Sequence, residues 1–192
     1  MKAYQTLPDG YGEVMRIDLQ KDRKASIAVN VLAGVVMVAV LAIGAFIVPA
    51  GEMLDLDFGG GLLLRFAVMV LGMVAYFVLH ELTHGAVMKA VGARHVRFGF
   101  TGMYAYAGSL EDYFDKGSYR LTALAPLVVW GIIFVVLAVV VPASWFWVIW
   151  FLQAANIGGS MGDVYVTAKL WKKPASILVR DTGVDMTVFD KG

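Results

Sequence analysis

Long apolar runs leave this chain few folds. Residues 27–48, 62–91, 119–141 and 145–170 are each dominated by apolar side chains. At 1.5 Å per residue, each run is long enough to cross a hydrocarbon core of about 30 Å. The pattern predicts an all-α integral membrane protein with four transmembrane helices. Composition agrees, with 59% hydrophobic and 16% charged residues and a mean hydropathy of +0.72. A soluble domain carries about half apolar and a quarter charged residues.

The remaining segments are expected to be a cytoplasmic N-terminal segment at 1–26, with a turn at Pro8-Asp9-Gly10, and a cytoplasmic tail at 171–192. In the tail, Ile177, Val179, Val184 and Met186 alternate as in a strand. A secretory signal peptide is not expected, because the first apolar run is too long for an h-region. Pro49 and Gly51 end that run, and Glu52, Asp55 and Asp57 form an acidic connection closed by Gly59-Gly60-Gly61. Arg65 snorkels to the interface. Pro126 interrupts the third run, which is tolerated where neighbouring helices satisfy the freed carbonyl. Trp145, Phe146, Trp147 and Trp150 suit a membrane interface.

Orientation follows from the short loops. Lys2, Arg16, Lys21, Arg23 and Lys24 precede the first span; Lys89 at the end of the second is followed by Arg94, Arg97 and Lys116 before the third; Lys169 at the end of the fourth is followed by Lys172, Lys173 and Arg180. The other two connections carry no Lys or Arg, so both termini and the central loop are expected in the cytoplasm. Arg94 to Ser109 alternates in part around Thr101-Gly102, which fits a short cytoplasmic-side β-hairpin between helices 2 and 3. Its edge suits a peptide that adds as a further strand, although such a hairpin also suits a plug for the bundle.

Charge at the end of the second run marks a site. His80-Glu81-Leu82-Thr83-His84 places two imidazoles one helical turn apart on one face, as two ligands of a single zinc require. Glu81 is the general base that such a site uses on a metal-activated water, so Zn2+ is the expected cofactor. Cysteine is absent, which excludes thiolate ligands. Catalytic zinc usually has a third protein ligand, for which the candidates are His95, Glu111 and Asp112 in the central loop and Asp163 in the fourth run. Asp163 is favoured, because an intramembrane carboxylate marks a functional site. Asn156, Ser160 and Asp163 recur on one helix face, with Gly158, Gly159 and Gly162 thinning that helix for close approach.

These residues together resemble the site-2-protease type of intramembrane zinc peptidase, most closely its short branch of zincin-peptidase domains without a PDZ domain. The resemblance covers about residues 62–170 and rests on pairing the histidine motif with Asn156, seven residues ahead of Asp163. It implies His80, His84 and Asp163 as metal ligands, Glu81 as base, and Asn156 as a catalytic group holding substrate or oxyanion. The family commonly has proline after the asparagine and glycine after the aspartate; here Ile157 and Val164 stand there.

The expected function is that of a membrane zinc endopeptidase acting on a membrane-anchored peptide or protein substrate near the cytoplasmic face of the lipid bilayer. A non-enzymatic protease-like module that binds a partner or metal is the alternative; a metal transporter is weaker, since a carrier has no use for Glu81. A net charge of +1 and the lack of a basic stripe exclude a general nucleic-acid binder. Asn30, Ala33, Gly34 and Ala42 on the first span offer a surface for helix contact, as in a homo-oligomer.

Overall fold

The computed structural model describes residues 2–53, 61–102 and 104–191. Asp55, Asp57, Gly59 and Gly60 of the acidic connection, and Met103 of the hairpin, lie outside the described residues. In chain order the elements are β1 (Ala3–Tyr4), β2 (Tyr11–Ile17), α1 (Arg23–Ile47), α2 (Gly61–Ala90), β3 (Arg97–Phe100), β4 (Ala105–Gly108), β5 (Tyr113–Asp115), α3 (Lys116–Val140), α4 (Ala143–Gly159), α5 (Met161–Lys169), β6 (Leu178–Asp181) and β7 (Met186–Lys191). Helices α1, α2 and α3 are long and apolar enough to cross a membrane. They expose large apolar side chains, Phe46 at 92% and Val139 at 79% among them. A water-soluble monomer rarely leaves so much apolar surface uncovered.

The chain divides into two compact units. One comprises residues 30–79 and 126–161. Its core packs Tyr76, Phe134, Leu152 and Ala155, with Met73, Trp130 and Ile149 against them. Helices α1 and α4 approach closely where side chains are small. A Cβ on Gly158 would lie 2.9 Å from Met37 Cγ, and one on Gly44 would lie 2.4 Å from the Trp150 indole. The Trp150 Nε1–H donates to the Val40 carbonyl at 2.7 Å and the Trp147 Nε1–H to that of Pro49 at 3.2 Å. Arg65, buried, donates to the Glu52 carbonyl at 3.1 Å.

The other unit comprises residues 1–29, 80–125 and 162–192. It is built on a five-stranded antiparallel sheet of order β1-β5-β6-β7-β2. Strand β2 pairs with β7 from Tyr11↔Lys191 to Ile17↔Met186, with a bulge between Glu13 and Met15. Strands β3 and β4 form a separate antiparallel pair between α2 and α3. One core joins the sheet to the helix ends: Phe114, Ile177, Val179, Met186 and Val188 pack with Met88 of α2, Tyr119 and Ala123 of α3, and Val166 and Leu170 at the end of α5. Two aspartates start helices here. Asp22 accepts the N–H groups of Lys24 and Ala25 at 3.1 and 3.0 Å, and Asp115 that of Ser118 at 2.8 Å, which satisfies first-turn donors.

Two expectations change. The fold is not all-α, because the segment before α1 and the tail after α5 are strands of one sheet. The tail's alternation was visible, but strand pairing over such a separation has no local signature. The expected continuous fourth helix over 145–170 is broken at Ser160, where Gly158 and Gly159 weaken the helix and the Ser160 N–H closes on the Asn156 carbonyl at 3.1 Å.

Candidate metal centre

Helix α2 runs without interruption through His80 and His84, so the four-residue spacing puts both rings on one face. Both are buried, with ring centroids 4.8 Å apart and planes at 76°. Their Nε2 atoms lie 3.2 Å apart. The Asp163 carboxylate, in the first turn of α5, closes the group: Oδ2 is 3.5 Å from His80 Nε2 and Oδ1 is 3.6 Å from His84 Nε2. Zinc holds its ligands at about 2.0–2.1 Å, which on a tetrahedron sets them roughly 3.3–3.4 Å apart. Donor type and spacing therefore both fit zinc.

Glu81 sits beside this group. Ligand atoms of His80, Glu81 and His84 all lie within 4.8 Å of one another. The Ala107 N–H, on β4, faces the Glu81 carboxylate. On the far side of the imidazole, His84 Nδ1 is 2.9 Å from the Thr122 carbonyl of α3. A carbonyl only accepts, so Nδ1 carries a proton, and Nε2 is the nitrogen that faces Asp163. Neither backbone contact was visible beforehand, since a main-chain N–H or C=O has no residue signature.

The three loop candidates gather elsewhere, with one another. His95 Nδ1 is 3.3 Å from Glu111 Oε2 and 4.0 Å from Asp112 Oδ1, and Glu111 also faces Arg97 at 3.8 Å. Asp112 is fully buried, and its Oδ2 accepts from the N–H groups of Arg94 (3.0 Å) and His95 (2.8 Å) and from the Ser109 hydroxyl (2.9 Å). Burial pushes this carboxyl up, but the His95 N–H, the Ser109 hydroxyl and the Arg94 N–H together hold it below the ordinary aspartate range.

Asn156 belongs to the other unit. It is fully buried, its Oδ1 accepts from the Tyr76 hydroxyl at 2.9 Å, and its Nδ2 donates to the Leu127 carbonyl at 3.1 Å. Gly131 leaves room for it, since a Cβ there would touch Asn156 Nδ2 at 3.4 Å. The amide thus ties α2, α3 and α4 together within that unit.

Residues 73–178, more than half of the chain, match a family, DUF3267, whose description is putative zincin peptidase. The match includes the histidine pair, Glu81, Asn156 and Asp163. No curated protein and no solved structure matches the chain.

Proposed function

Because the chain belongs to the putative zincin peptidase family, we propose that it is a membrane-embedded zinc metalloprotease that hydrolyses peptide bonds of membrane-associated substrates near the cytoplasmic face. The observation that carries this reading is the convergence of His80, His84 and Asp163 at tetrahedral spacing with Glu81 alongside. The first three residues would hold the metal. When bound, zinc lowers the pKa of a water toward neutrality and polarises a carbonyl oxygen.

The chain's own groups supply the rest. Glu81 takes the proton from the attacking water and delivers it to the leaving amine, as a general base that becomes a general acid. The Ala107 N–H faces that carboxylate. Since Ala107 lies on β4, the β3–β4 hairpin stands next to the base, and a substrate that adds to it as an extended strand would bring its main chain close to Glu81. An oxyanion role for Asn156 would draw on the N–H that its two bonds leave over. In the bilayer, α4 followed by α5 would make a fourth crossing beside the three long helices, with Trp145, Trp147 and Trp150 at the interface and both termini cytoplasmic. At 17 residues, α4 alone spans about 26 Å.

The test is metal content and cleavage of the detergent-solubilised protein. One zinc per chain is expected in the wild type, with loss in His80→Ala and Asp163→Ala. Glu81→Gln should keep the metal and lose cleavage. Zinc retained by Asp163→Ala would remove the third ligand from this assignment, and full cleavage by Glu81→Gln would overturn the enzymatic reading.

A further inference from the structure

We infer that Pro126 is a positioning residue for the metal centre: by lacking an N–H, it frees the Thr122 carbonyl to orient His84. Each helical N–H bonds the carbonyl four residues earlier, so the carbonyl that loses its partner at Pro126 is that of residue 122. Pro126 lies inside α3, ten residues after Lys116 and fourteen before Val140, so the helix continues well past it. Thr122 is 2% exposed, out of reach of water that could satisfy it. The carbonyl instead accepts from His84 Nδ1 at 2.9 Å. A buried carbonyl without a partner is costly, so the proline and the histidine answer one another.

The consequence for the site is a fixed ring orientation. With Nδ1–H held on the Thr122 carbonyl, Nε2 is the nitrogen turned to Asp163 and to His80 Nε2, which lie 3.6 and 3.2 Å away. A ligating histidine whose other nitrogen donates to a carbonyl binds metal more tightly, and removing such a partner typically costs 10–100-fold in affinity. The gap that Pro126 leaves in the hydrogen-bond ladder of α3 is therefore tied to the metal ligand, and not only to packing. The inference rests on the zinc-site reading, but its physical content, the state of the His84 ring, is measurable without zinc.

Pro126→Ala and Pro126→Gly both restore an N–H that competes for the Thr122 carbonyl, while they raise helix propensity by different amounts, Ala more than Gly. In the full-length solubilised protein, zinc affinity measured by competition with a chromophoric chelator should fall 10–100-fold in both. Nitrogen and proton NMR of metal-free protein labelled in its three histidines should show a hydrogen-bonded His84 Nδ1–H, its proton shifted downfield, in the wild type, and the loss of that downfield signal in both variants. Affinity and the Nδ1–H signal unchanged in either variant, or effects that follow helix propensity so that Ala and Gly diverge, would overturn the inference. If the wild type binds no zinc, the proposed function fails, and the NMR comparison still decides the role of Pro126.

Discussion

Asp112 shows how much of a buried carboxylate's role is set by main-chain partners. Two N–H groups and a hydroxyl converge on one of its oxygens, and its pKa lies below the ordinary range. A depressed pKa contributes stability that is present above the unfolded value of about 3.9 and is lost as pH falls through the folded value. Asp112→Asn should accordingly cost about 1–3 kcal/mol at neutral pH, the range for losing hydrogen bonds to a charged group. The gap to wild type should close in the acid range, as followed by thermal unfolding in detergent; a gap independent of pH would mean that the charge is irrelevant. At this scale the sequence was informative for side chains. Helical spacing paired His80 with His84, and a carboxylate in an apolar run drew attention to Asp163, which the structure brings within 3.6 Å of both rings. The sequence was silent on Thr122 and Ala107, which act through the peptide group that every residue shares. It also gave Asn156 a role in chemistry without showing Tyr76 and Leu127, the partners that hold its amide.

Among the elements, the hairpin β3–β4 depends on a glycine. A Cβ on Gly108 would fall 2.2–2.4 Å from backbone atoms of Thr182 and Gly183, and the next residue, Ser109, donates its N–H to the Asp181 carbonyl at 2.6 Å. Backbone cannot step aside as a side-chain tip can. Gly108→Ala should cost about 1–3 kcal/mol as overpacking, read as a lower denaturation midpoint; because β4 also carries the Ala107 N–H to Glu81, cleavage should fall more than zinc content does. In the other unit, Gly44→Ala should drive the Trp150 indole off its bond to the Val40 carbonyl. Trp150 fluorescence reports this directly, and an unshifted emission would show that the indole had not moved. Helix existence was legible from apolar run length, and the central hairpin from its alternation. The break at Ser160 was less so, since three glycines in a membrane helix signal close packing as readily as an end.

For the molecule as a whole, the sheet is assembled from sequence extremes. Strand β7 pairs on one side with β6 and on the other with β2, whose residues precede α1. The same sheet packs on Met88, four residues after His84, and on Val166 and Leu170, which follow Asp163. Removing residues 186–191 should therefore loosen the metal centre without touching it. We expect weaker zinc binding and faster proteolysis after residue 80 in the truncated chain, and unaltered zinc affinity would separate the sheet from the site. Nothing local in the first 26 residues announces this pairing, which is why they read as a polar leader to a helical bundle. The pairing also imposes an order of events in time. At a synthesis rate of about 5–20 residues per second, roughly 10–35 s separate the appearance of β2 from that of β7. Throughout that interval β2 has no partner, and the floor beneath the histidines is incomplete. The nascent chain is thus a dormant precursor, and of the strands in this sheet the last to be translated, β7, is the one that licenses it.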